Sequence, residues 1–135
     1  MLPVHYRVGV VALVLMSLTA CATGKNLGHQ VAANREGLAK LTVGMSKAEA
    51  VKTMGDLKVE TKDGVVKNPW TTETVKGRDG VRYEVLYYVT RINPPFTPIG
   101  KFLTTPVIFK GGKYVGQGFD TLEKIEPPKP KEQKK

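Results

Sequence analysis

The chain holds one cysteine, two histidines and one tryptophan in 135 residues. A single Cys excludes an internal disulfide framework and any zinc cluster built on cysteines. Two His leave no basis for a histidine-rich metal site, and no metal or other cofactor is expected. No apolar run reaches the roughly 20 residues of a spanning helix. Nine Pro and 14 Gly fall short of a low-complexity or collagen-like composition. Gly-rich phosphate loops, His-Glu-x-x-His and Gly-x-Ser-x-Gly are all missing. What is present, 41% hydrophobic and 24% charged residues, is the composition of one globular domain with tails.

The first 21 residues read as an address. Met1 to Arg7 carries one basic side chain, Arg7, and the apolar run Val8 to Leu18 follows. That run has the length of a signal-peptide core. Leu18-Thr19-Ala20-Cys21 resembles the bacterial lipobox, in which the Cys is acylated on sulfur and becomes the first residue after cleavage. A plain secretory peptide with a leftover thiol, or an uncleaved anchor, are the alternatives. Run length, Cys position and small flanking residues agree on the lipobox. It implies a signal peptide over 1–20, Cys21 as the lipid attachment site, and acyl chains that hold the protein stably on a membrane. Ala22 follows the Cys. By similarity to proteobacterial lipoproteins, a residue other than Asp there implies the periplasmic face of the outer membrane.

Cleavage before Cys21 removes one of the 21 basic residues and none of the 12 acidic ones, so the net charge of +9 becomes +8. In that compartment nucleic acid is not the expected partner. The basic excess suits lipid headgroups, lipopolysaccharide phosphates or an acidic protein surface, or is a solvated surface with no ligand.

Residues 21–28 read as the lipidated Cys and a flexible tether, 29–125 as the folded domain, and 126–135, rich in Pro and Lys, as a disordered tail. Val31, Leu38 and Leu41 place a helix over 29–41. Ser46 and Glu49 form a capping box, and Gly55 stands where a helix stops, so a second helix runs over 47–54. Tyr83 to Thr90 is the strongest strand, with 70–76 as its hairpin partner across the turn 77–80. A second hairpin joins 105–109 to 113–120 through Gly111 and Gly112. Gly116 and Gly118 suggest a bulge, or a strip on which a helix packs closely. A further short strand is expected around Asp63 and Gly64. The fold class is α+β: two N-terminal helices packed on an antiparallel sheet of three to four strands, as a two-layer sandwich.

The lipobox, the polar linker and Gly44-Met45-Ser46-Lys47 with Gly55 together resemble the SmpA/OmlA domain of BamE-type outer-membrane lipoproteins. Within that class the chain looks like small uncharacterised lipoproteins. They share the run Asn34 to Leu38, Asn68-Pro69, the run Tyr83 to Tyr88 and the run Thr105 to Lys113. One departure is Asp56-Leu57-Lys58 after Gly55, where BamE proteins have Gly-x-Pro. The resemblance implies an outer-membrane lipoprotein of this fold and, less directly, contact with the proteins that assemble outer-membrane barrels.

An enzyme needs a placed acid, base or nucleophile. After Cys21 the only His is His29, and the carboxylates are scattered among lysines, so no enzyme is expected. Glu73 and Glu84 are expected to pair with Lys76 or Arg82 across the hairpin. The stretch 91–104 is more informative. It joins two strands, is stiffened by Pro94, Pro95 and Pro98, and carries Ile92, Phe96, Ile99, Phe102 and Leu103. Exposed, these form a partner surface; folded back, they cover the sheet. Lys101, Lys110 and Lys113 would add a basic rim. Two functions are then open. One is a non-catalytic, lipid-anchored protein-binding scaffold in outer-membrane protein assembly or envelope integrity. The other is a ligand module for an anionic envelope component, such as a phospholipid headgroup, lipopolysaccharide or peptidoglycan.

Overall fold

A computed structural model describes residues 26–130 of the chain. Residues 1–25, which include Cys21, the expected signal peptide and most of the expected tether, and residues 131–135 lie outside the described residues.

The first helix, α1, runs Leu27–Ala39, two residues earlier at each end than its apolar spacing implied. It starts where it does because the Asn26 side chain caps it, accepting from the His29 amide at 2.9 Å. Its buried face is a mixture of Gln30, Val31, Asn34, Gly37 and Leu38. Two buried amides in that face blur the apolar stripe that sequence periodicity reports. α2 runs Lys47–Met54, with both hydrogen bonds of the Ser46–Glu49 capping box in place. Met45 and Ala50, flanking the cap, meet in one apolar cluster. Gly55 ends the helix at φ +75°, a backbone angle that favours glycine. The two helices cross closely at Gly37, where a Cβ would stand 2.9 Å from Met54 Sδ.

After α2 the chain forms a short hairpin, β1 (Val59–Thr61) with β2 (Gly64–Val66), rather than one strand around residue 63. Asp63 is in its turn. The main sheet follows: β3 (Thr71–Lys76), β4 (Arg82–Val89), β5 (Thr104–Lys110) and β6 (Lys113–Gln117), antiparallel in the order β3-β4-β5-β6. Between Ile108 and Phe109 the β5–β6 register slips, and Val115 is the extra residue of a bulge.

A third helix, α3 (Phe119–Ile125), corrects the sequence reading of 113–120 as one strand. Gly118, at φ +94°, breaks the strand and starts the helix, its amide donating to Pro106 O at 2.9 Å. The three-residue spacing of Phe119, Leu122 and Ile125 was the available signal. α3 packs closely on Gly116, whose Cβ would lie 3.0 Å from Thr121 Cγ2. Both suggestions made for the Gly116 region therefore hold.

The fold is α+β, but the helices do not all precede the sheet and do not all lie on one face of it. Leu38, Ala50 and Met54 bury one face with Leu86, Tyr88, Val107, Phe109 and Tyr114. Leu122 of α3 buries the other with Tyr83, Val85, Tyr87 and Ile108. The two-layer expectation is thus replaced by a sheet with helices on both sides. This explains why β4 and β5 read as near-continuous apolar runs rather than alternating ones. Burial of each large side chain such as Phe109 contributes about 1.5–3 kcal/mol.

Candidate functional site

The run Asn34 to Leu38 and the pair Asn68-Pro69, motif-like in sequence, meet in the interior. Asn34 Nδ2 donates to Asn68 Oδ1 at 3.0 Å and Asn68 Nδ2 returns a bond to Asn34 Oδ1 at 2.6 Å. Asn34 also donates to Val89 O at 2.8 Å, and Gln30 Nε2 donates to Leu57 O and Val66 O, both at 3.1 Å. Arg35 Nε donates to Thr90 O at 2.9 Å. These amides pin α1 to the β1–β2 hairpin and to the end of β4. Their role is to satisfy buried backbone groups.

Glu73 and Glu84 are likewise occupied in surface pairs, with partners other than those expected across the hairpin. Glu84 pairs with Lys47 of α2. Glu73 pairs with Lys101 at 2.6 Å and accepts from the Tyr87 hydroxyl. Glu73 and Lys76 are three residues apart on β3 and so point to opposite faces of the sheet. Burial would raise the Glu73 carboxyl, but the bonds from Lys101 and Tyr87 outweigh it and hold it below its ordinary value. Burial, with the bond to Glu73, pushes the Tyr87 hydroxyl up. Asp79 is held down at about 2 by bonds from the Tyr83 hydroxyl, the Val81 amide and Lys110. Among the described residues no three His, Cys, Asp or Glu side chains gather as metal ligands, and His29 is exposed on α1.

The 91–104 stretch divides. Leu103 is 3% exposed and belongs to the core, so it is withdrawn from any partner surface. Ile99 is half-buried against Val31, Val66 and Val89. Ile92, Phe96 and Phe102 are exposed. Of the predicted lysine rim only Lys110 and Lys113 come together; Lys101 stands apart. Lys101 and Lys110 bracket β5, whose seven residues separate its ends by about 20 Å. Lys101 is engaged by Glu73, lying 4.8 Å from the Tyr87 ring centre; Lys110 is engaged by Asp79 at 3.1 Å. Lys113 is exposed opposite Lys110 in the β5–β6 hairpin.

Phe96 is the outlier of the loop. It is 98% exposed and sits at φ +61°, in the left-handed region where a bulky residue costs about 1 kcal/mol or more. The turn that holds it is fixed by Thr97 N donating to Pro94 O at 3.1 Å and Asn93 Nδ2 donating to Thr97 O at 2.6 Å.

The two edges of the main sheet are unlike. On the β6 side, residues 44–47 close the backbone over Gly112–Tyr114. Gly44 N donates to Tyr114 O at 2.9 Å, Tyr114 N to Met45 O at 2.8 Å, and Lys47 N to Gly112 O at 2.9 Å. On the other side β3 pairs with β4 alone. Among the described residues no backbone group of Thr71–Lys76 bonds to anything beyond β4. Alternate residues of β3 therefore present free N–H and C=O groups along an open edge. Sequence reasoning reached the strand but not its edge position, because strand order is set by tertiary packing.

No protein family, curated protein or solved structure matches the chain.

Proposed function

We propose that the protein is a non-catalytic, lipid-anchored binding module of the bacterial envelope, attached through Cys21, which holds a partner chain in extended form along β3. The observation that carries this is the contrast between the edges: one closed by residues 44–47 over Gly112–Tyr114, the other unpaired along its whole length. An unpaired edge offers a row of N–H and C=O groups that can template the addition of a strand. Main-chain bonds to β3 would supply affinity. Thr72 and Thr74 on one face and Thr71, Glu73 and Val75 on the other would contact the partner's side chains. The resemblance of the Gly44–Gly55 segment to SmpA/OmlA lipoproteins supports a partner drawn from outer-membrane protein assembly, where unpaired strands are abundant.

Lys101 lies at the other end of β5 from Lys110 and Lys113, and Lys101 and Lys110 are each paired with a carboxylate, which weighs against a single pocket for an anionic ligand, so the protein-binding reading is preferred. Co-purification from membranes tests it, using intact lipoprotein, the edge-blunting variant Thr72→Lys/Thr74→Lys and the anchor variant Cys21→Ala. The expected result is an assembly-protein partner lost from both variants. A partner retained by the edge variant would remove β3 from the interface, and a preparation carrying only lipid would favour a ligand module.

A further inference from the structure

The exposed tip of the 91–104 loop and the start of α1 emerge at one end of the domain. A Cβ on Gly28, in the first turn of α1, would lie 3.8 Å from Ile92 Cδ1. Ile99, at the other limb, packs in the same cluster as Leu27 and Val31 of α1. The neck between the limbs is closed by Thr90 N and Arg91 N, both donating to Leu103 O, at 2.9 and 3.1 Å. The loop is thus a rigid projection rooted beside the point where the tether enters the fold.

Only four residues, 22–25, separate Cys21 from Asn26. Fully extended, the five Cα-to-Cα steps span about 17 Å, so an acylated Cys21 keeps the start of α1 that close to the bilayer. Phe96 is four residues beyond Ile92, at most about 14 Å away, within what the tether's slack allows. We infer that the tip of this loop docks on the lipid bilayer beside the anchor, Phe96 and Ile92 entering the headgroup–acyl boundary and Lys62 and Arg91 meeting anionic headgroups. The inference rests on lipid attachment at Cys21 and is independent of the β3 edge.

Three observations converge on it. Phe96 is held almost wholly in solvent by a strained turn, an arrangement that a solvated surface would not need. Aromatic and aliphatic side chains at a loop tip suit the interfacial region, where apolar area is buried without crossing the membrane. Lys62 lies 5.9 Å from the centre of the Phe96 ring, and Arg91 is exposed at the loop's neck. The neighbouring hairpin carries Lys62 with Glu60 and Asp63, and Lys58 and Lys67 with Asp56 flank it, so its charge is balanced. Apolar insertion therefore leads, and anionic lipid strengthens it.

The test uses the intact lipoprotein reconstituted in vesicles of phosphatidylethanolamine and phosphatidylglycerol. With Cys21 acylated, Phe96→Cys supplies the one free thiol for a polarity-sensitive fluorophore. Val43→Cys is the control, since Val43 is 71% exposed beside Tyr114, at the far end of β5 from the loop. Vesicle flotation comes first: a protein that fails to float has no anchor, and both the attachment and this inference fall. In floating protein, iodide quenching at position 96 should drop several-fold relative to detergent-free protein captured without vesicles, with a blue-shifted emission, while position 43 stays fully quenchable. Equal quenching at the two positions overturns loop docking while leaving the anchor intact. Equal shielding at both also overturns it, because the domain would then be adsorbing without orientation.

Discussion

Asn34 and Asn68 face each other with reciprocal side-chain bonds of 3.0 and 2.6 Å, closing a helix against the segment that enters the main sheet. Removal of either side chain leaves the other short of its reciprocal partner in a partly buried site, which costs about 1–3 kcal/mol. Asn34→Ala and Asn68→Ala should therefore each destabilise the domain by that amount in urea unfolding. The double variant should cost less than the sum, because the second truncation finds no partner left to orphan. Additive losses would show that the pair does not act as a unit.

The Tyr88 hydroxyl is buried and finds no hydrogen-bond partner among the described residues. Burial pushes its pKa up to about 12. Tyr88→Phe keeps the ring and deletes an unsatisfied group, so it should leave stability unchanged or raise it by up to about 1 kcal/mol. A loss above that range would reveal a bond to the hydroxyl in solution.

Phe96 offers the opposite case, a side chain with little packing and a strained backbone. Phe96→Gly should not lower the melting temperature, since relief of the left-handed conformation, about 1 kcal/mol, offsets glycine's greater freedom when unfolded. With the anchor at Cys21 still holding it on vesicles, the same variant should lose only the docking of its loop. A marked fall in stability would mean that Phe96 packs in solution.

Asp79 titrates in the acid range. Its folded pKa, about 2, lies below the ordinary 3.8, because Tyr83, Val81 and Lys110 bond to the carboxylate. The folded chain therefore binds the proton less readily than the unfolded one. This contribution is complete above about pH 4 and is lost as pH falls through 2. Asp79→Asn should be less stable than the parent at neutral pH, with the gap narrowing between pH 4 and pH 2. A gap independent of pH would assign the effect to something other than ionisation.

Legibility in the sequence followed the range of the interactions. α2 was readable to the residue because Ser46, Glu49 and Gly55 act within one turn of its ends. β4 was readable because its aromatic and β-branched density needs no partner to be seen. α1 was blurred by Gln30 and Asn34, whose burial depends on backbone groups far along the chain. α3 was missed because a strand and a short helix share the residues after Gly118, and the choice lies in the glycine's φ. Of the candidate surface, the exposure of Phe96 and Phe102 was anticipated as one of two outcomes. The burial of Leu103 and the separation of Lys101 from Lys110 are tertiary facts, as is the free edge of β3.

Photocrosslinking from single positions of the full-length chain in its native cell tests the central claim most directly. Photoreactive residues at Thr72 and Thr74 on the open edge, and at Lys113 in the closed part of β6, would report which edge meets another chain. The account predicts an adduct with one envelope protein from both β3 positions and none from Lys113. Adducts equal at all three positions, or a β3 adduct of twice the chain's own mass, would contradict it.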